Sequence, residues 1–332
     1  MKVCIIGAGA IGGFIGTRLA HAGQAQVCAL ARGETLAALR THGWRLRSAQ
    51  GLVQAPARAS ADATELGPQD LVVIAVKGPA LPAAAQNIQP LLGPHTLVLP
   101  AMNGVPWWFC QGIPEFADSP LQSVDPGGAV SRAISPQRVL GCVVHAATFT
   151  TEPGLVHHKM GQSLIVGEPG GGRSERAQAV ADLLQHADFE VTHSADVRQD
   201  IWYKLWGNLT MNPVSAITGA TIDQVLADPL VRSFCSAAMM EAATIGAGIG
   251  CLIAQSAEDR HQVTAKLGAF KTSMLQDVEA GRGIELDAIV GAVQEIGARL
   301  ALPTPNINAL LGLTRLFARR RGLYPQAAEK SV

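Results

Sequence analysis

The sequence predicts an α/β amino-terminal half joined to an all-helical carboxy-terminal half. Three observations carry this prediction. Short apolar runs ("KVCIIG", "QVCALA", "DLVVIAVK", "HTLVLPAMNG") alternate with helix-like segments up to residue 104. A glycine turn, "GAGAIG", follows directly on the first run and opens a helix. From about Val197 the pattern is helical nearly to the end. Apolar strands that alternate with helices need cover on both faces, the arrangement of a parallel sheet.

The elements follow in order. "KVCIIG" is a buried-strand run, and the helix after its glycines extends to about Ala22. "QVCALA" at 26–31 is the second strand, followed by helix-like "ETLAALRTHG". Turn-rich and strand-like sequence leads to strands at 70–77 and 95–104. The stretch 139–167 holds β-rich runs separated by turn residues, read as antiparallel additions to the sheet. "GEPGGG" is a loop, "RAQAVADLLQHA" a helix and "FEVTHS" a closing strand. Helices are predicted at 197–216, 229–249, 257–280, 283–300 and 304–319. "LPTPN" separates the last two, with a proline just inside a helix start. The tail "GLYPQAAEKSV" is expected to fray. Residues 1–194 and 195–325 are the expected domains, since 332 residues are long for one core.

Apolar residues make up 48% of the chain, charged ones 16%, and the formal net charge is zero. This is a globular composition without the basic excess of a nucleic-acid binder. No run reaches the ~18 apolar residues of a membrane span. "MKVCIIGAG" enters a strand at once, unlike a signal peptide, so a cytoplasmic location is expected. The six cysteines have no CxxC spacing and read as reduced, buried thiols.

Gly7, Gly9 and Gly12 form G-x-G-x-x-G between a strand and a helix. In a dinucleotide site the first glycine turns the chain, the second admits the pyrophosphate and the third allows close packing. The helix N-terminus favours the anion. Gly7, Ala8, Gly9, Ala10, Ile11 and Gly12 are the candidate pyrophosphate loop. The second strand ends in "ALARGE", so its first polar residue is Arg32 and not the acid that takes a ribose 2′-hydroxyl. A cation there suits the 2′-phosphate of NADPH, although Arg32 also reads as an ordinary solvated side chain. Lys77 and Asn103 each follow an apolar strand, where ligands of parallel sheets gather. Both are candidate cofactor residues. Either can instead satisfy a turn.

Lys204, Asn208 and Asn212 recur every four residues in "IWYKLWGNLTMNP". Each step turns about 40° around a helix, so they form one strip. The remaining circumference is largely apolar. The strip faces either solvent or a ligand. In the second case the amine can supply a proton while the amides orient substrate. His157 and His158 are adjacent and lack further ligands nearby in sequence, so no metal site is expected.

Together, "GAGAIG", Lys77 in "VKGP", Asn103 in "MNG", "KLWGNLTMNPVSAIT" and "SMLQDVEAGRGIELDAIVGAVQEIG" resemble the ketopantoate reductase family, the 2-dehydropantoate 2-reductases. The resemblance spans almost the full chain. It implies a Rossmann-type domain that binds NADPH, a helical substrate-binding domain, and hydride transfer to the keto carbon of a small 2-keto acid, 2-dehydropantoate giving pantoate. It implies Lys204 as general acid, Glu285 as a partner of the substrate's hydroxyl or carbonyl side that also orients the lysine, Asn208, Asn212 and Ser273 as substrate ligands, and Asn103 as closing the cofactor–substrate region. Without it, Glu285 reads as a helix cap or surface charge, and Ser273 as a capping hydroxyl. Phe270 stands where the family pattern can carry an asparagine, and "AITGATIDQ" lacks another. Trp107 and Trp108 are either core or dimer contacts, or cleft residues that would favour a bulkier substrate. An NAD(P)-dependent 2-hydroxy acid dehydrogenase acting on such a substrate is the alternative. A nucleotide sensor without chemistry is disfavoured by Lys204 and Glu285. A homodimer through the helical domain is compatible with the sequence.

Overall fold

Ten strands lie between Lys2 and Ser194 in the computed structural model, which describes residues 1–116 and 119–326. They are β1 (Lys2–Ile6), β2 (Gln26–Leu30), β3 (Trp44–Ser48), β4 (Gly51–Ala55), β5 (Arg58–Ser60), β6 (Gln69–Ile74), β7 (Leu92–Pro100), β8 (Gly141–Glu152), β9 (Leu155–Gly167) and β10 (Glu190–Ser194). The first sheet has the order β5-β2-β1-β6-β7, and all its pairings are parallel. Val3, Cys4, Ile5 and Leu71–Ile74 are wholly or almost wholly buried, as strands covered on both faces must be.

The 139–167 stretch differs from its sequence reading. It forms two long strands, β8 and β9, joined at Pro153–Gly154, and they belong to a second sheet ordered β10-β9-β3-β4 with β8 antiparallel on β9. The reason is the helix α1 (Ala10–Ala22), whose Phe14, Ile15 and Leu19 share one core with Val3 and Ile5 of the first sheet and Leu46, Val156 and Leu164 of the second. Burying each such side chain contributes roughly 1.5–3 kcal/mol. The remaining helices of this region are α2 (Gly33–His42), α3 (Leu81–Gln86), α4 (Ala129–Ala133) and α5 (Glu175–Gln185).

The carboxy-terminal helices are α6 (Val197–Thr218), α7 (Ile222–Ala227), α8 (Pro229–Gly248), α9 (Ala257–Ala265), α10 (Ser273–Glu279), α11 (Ala292–Arg299) and α12 (Pro305–Arg320). The helix predicted at 257–280 is broken. Gly268 adopts φ +61°, and the Thr272 hydroxyl accepts the Leu275 N–H to start a new helix. The helix predicted at 283–300 begins irregularly and passes through a π-helical turn, Asp287–Gly291, before α11. No described helix is long and apolar enough to cross a membrane.

The chain divides into two compact units. One comprises Met1–Phe109 with Gly127–Asp200. The other joins Cys110–Pro126 to the residues from Ile201 onward. The sequence alone assigns 110–126 to the amino-terminal domain, residues 1–194. Its attachment to α11 is polar and uses backbone groups. The Glu295 carboxylate accepts the N–H groups of Gln122 (2.9 Å) and Ser123 (2.8 Å) and the Ser123 hydroxyl. Arg299 donates to the carbonyls of Ser119 and Pro120, each at 2.7 Å.

Candidate active site

The parallel sheet of the first unit lines up four of the predicted residues. Its strand ends are in step: Gly7 N–H bonds the Leu30 carbonyl (3.3 Å), Ala75 N–H that of Ile6 (2.9 Å) and Ala101 N–H that of Ile74 (2.8 Å). Beyond these ends, Arg32 follows β2, Gly7 follows β1, Lys77 follows β6 and Asn103 follows β7. In the sheet order this is a row along one carboxyl edge, the place where open parallel sheets bind ligands.

The glycine loop shows why side chains are excluded there. Gly7 has φ +88°, and a Cβ on it would lie 2.6 Å from Cγ1 of Val76. A Cβ on Gly12 would lie 2.1 Å from the Gly7 carbonyl oxygen. Ala8 is buried and Ile11 packs against the core. Ala10 opens α1, whose cap residue Gly9 offers no side-chain hydrogen bond, and the first turn carries no acid. Such an N-terminus, with backbone amides and a favourable dipole end, fits a pyrophosphate. Arg32 is exposed, in extended backbone (φ −135°) at the start of α2. These features fit a dinucleotide, with a cation placed at the second strand where an acid would oppose a 2′-phosphate.

In the second unit, α6 carries the polar strip. Trp202, Leu205, Trp206 and Leu209 bury the rest of the helix, and Trp206 Nε1 donates to the Met239 carbonyl at 2.7 Å. Asn212 is 5% exposed, while Lys204 and Asn208 are half-buried. A strip that ends on a buried amide is not a plain solvated face. The helix runs through Pro213, which has no N–H to give the Leu209 carbonyl. Ser273, exposed, is the first residue of α10, and the capping role falls to Thr272 instead. Glu285 is half-buried, just ahead of the helical turn from Leu286. The strip is thus one helix face, whereas Ser273 opens α10 and Glu285 lies in the irregular segment ahead of the π-helical turn.

Asp200, one helical turn before Lys204 in α6, is a further polar position at the same spacing. The four-residue spacing was the available signal. The Ser194 hydroxyl donates to its carboxylate. Burial pushes the Asp200 carboxyl up; the Ser194 donor opposes this and nearby Asp196 adds to it.

Trp107 and Trp108 are each 2% exposed, and Trp108 lies against Gly141 in the first unit. They are core residues, which removes their support for a bulkier substrate. Phe270 packs against the Met211–Val214 cluster. His157 stacks on Phe149 and His158 on Phe14. The six cysteines are buried thiols.

Family models described as ketopantoate reductase PanE/ApbA and its C-terminal region match residues 3–171 and 196–318. The 2-dehydropantoate 2-reductase of Mesorhizobium japonicum is 44% identical over 325 residues, covering 98% of this chain and 100% of that protein. The chain belongs to the ketopantoate reductase family. A Ralstonia solanacearum structure described as a ketopantoate reductase shares 52% identity with this family member, with a TM-score of 0.94, covering 97% of this chain and 99% of the other. The PanE/ApbA family ketopantoate reductase from Ralstonia eutropha shares 27% identity, with a TM-score of 0.83, covering 97% and 100%. The parallel-sheet first unit and helical second unit are the ketopantoate reductase fold.

Proposed function

We propose that this enzyme reduces a 2-keto acid to a 2-hydroxy acid with NADPH, and that the acid is 2-dehydropantoate. The observation that carries the proposal is the full-length, 44% likeness to a 2-dehydropantoate 2-reductase. Bound NADPH supplies the hydride. The loop Gly7–Gly12 would hold its pyrophosphate and Arg32 its 2′-phosphate, with Lys77 and Asn103 at the neighbouring strand ends as further cofactor contacts. Lys204 protonates the alkoxide oxygen that forms as the keto carbon is reduced. Such proton delivery contributes about 10²–10⁴-fold, and the ammonium also offsets the charge that develops on that oxygen. Asn208 and Asn212 hydrogen-bond the substrate, Ser273 receives its carboxylate and Glu285 orients the lysine. A homodimer is proposed through the helical unit, where α12 exposes Leu313 and Leu316 and α8 exposes Met240; light scattering of the purified protein tests it.

The test of the reaction is NADPH consumption against a panel of 2-keto acids, with NADH run beside it. The highest kcat/KM is expected for ketopantoate with NADPH. Tight NADPH binding without turnover of any 2-keto acid would overturn the proposal. Preference for an aromatic keto acid would move the substrate.

A further inference from the structure

The chain after α12 turns back onto the segment that carries Glu285. Gly322 adopts φ +69° at this turn. Leu323 is 5% exposed; its N–H bonds the Ala318 carbonyl (2.8 Å), and its own carbonyl accepts the N–H of Ile284 (3.1 Å). Tyr324 donates its hydroxyl to Oδ1 of Asp287 at 2.5 Å. The two contacts bracket Glu285, one at the residue before it and one two residues after it.

Residues 282–285 lie in no regular element, and the following turn is π-helical: Ala292 N–H bonds the Asp287 carbonyl. The first N–H groups of a helix find no partner within the helix itself, so contacts from outside help set how the chain enters it. The tail is itself secured, since Arg319 donates to the Pro325 carbonyl (3.0 Å) and its guanidinium lies 5.5 Å from the centre of the Tyr324 ring.

We infer that Tyr324 is a positioning residue for the reduction: with the Leu323 carbonyl it forms a brace that sets Glu285. This rests on the role proposed for Glu285 above. Burial pushes the Asp287 carboxyl up, while the Tyr324 donor and the charges of Arg315 and Arg319 on α12 draw it down. Removing the donor therefore raises it further, so the ionised Asp287 carboxylate is lost at a higher pH than in the wild type.

The experiment uses the full chain with Tyr324→Phe, Tyr324→Ala and the double variant Tyr324→Phe/Asp287→Asn. For Tyr324→Phe, kcat with the best 2-keto acid should fall roughly three- to tenfold, the scale of one lost hydrogen bond. NADPH Kd should stay unchanged, and the acid limb of the kcat/KM profile should move to higher pH. The double variant holds no carboxylate at 287, so its acid limb should lose that group's contribution, while kcat stays as low as in Tyr324→Phe because the hydrogen bond is still absent. Hydrogen exchange of peptide 282–287 should be faster in Tyr324→Ala than in the wild type. Unchanged turnover and unchanged exchange would overturn the brace. So would a loss of turnover matched by equal losses of NADPH affinity and melting temperature. A wild type that reduces no 2-keto acid would sink the proposed reaction instead, and the exchange measurement would still read the brace.

Discussion

Gly12 sits so close beneath Gly7 that a methyl group on it would lie 2.1 Å from the Gly7 carbonyl oxygen. Gly9, between them, has open space around its Cβ position and an ordinary φ of −81°. The two glycines should therefore fail differently. Gly12→Ala must displace backbone, and should lower the melting temperature as well as NADPH affinity, with an overpacking cost of roughly 1–3 kcal/mol. Gly9→Ala should leave the melting temperature unchanged and, if the loop holds the pyrophosphate as proposed, still weaken NADPH binding, because its methyl meets no protein atom. Titration calorimetry beside thermal unfolding separates the two, and equal NADPH affinity in Gly9→Ala would remove the loop from the cofactor site.

Arg32 decides between the two nicotinamide cofactors on this reading. Arg32→Ala should lower kcat/KM for NADPH by roughly tenfold, the scale of a charge-assisted hydrogen bond at an exposed site, and leave the value for NADH unchanged. Equal losses with both cofactors would assign Arg32 to the start of α2 rather than to a 2′-phosphate.

Legibility in the sequence followed the range of the contacts. The parallel strands showed themselves because both their faces are buried, and the row Arg32, Gly7, Lys77 and Asn103 showed itself because each residue follows a strand end. The α6 strip was readable from helical spacing alone. The second sheet was not, since β9 pairs with β3 from far upstream and no local pattern records that choice. The attachment of 110–126 to α11 was hidden for the same reason, as Glu295 holds backbone N–H groups that any sequence would supply. Tyr324 and Asp287 are 37 residues apart, so a tail rich in small and polar residues looked frayed although its first part is anchored.

Lys204 is assigned proton delivery and no part in cofactor binding. Lys204→Ala should lower kcat by about 10²–10⁴-fold, the range general acids supply, with NADPH Kd unchanged. Single-turnover kinetics with pre-bound NADPH read the chemical step directly. A mutant as fast as the wild type would end the acid assignment. A parallel loss of NADPH affinity would transfer Lys204 to the cofactor.

Glu295 should make the attachment of 110–126 sensitive to acid. Burial pushes its carboxyl up, but the Ser123 hydroxyl, the N–H groups of Ser123 and Gln122, and Arg299 outweigh that and hold it below the usual carboxylate range. A depressed folded-state value means the unfolded chain binds the proton more readily. The stabilisation is therefore complete above the ordinary carboxylate range and is lost as pH falls through the depressed value. At neutral pH, Glu295→Ala leaves those donors without their acceptor and should cost about 1–3 kcal/mol in urea unfolding. The difference between wild type and variant should shrink as the pH is taken below that range, because the wild type then loses the same interaction. A difference that stays constant with pH would show that packing, not the carboxylate, holds the segment to α11.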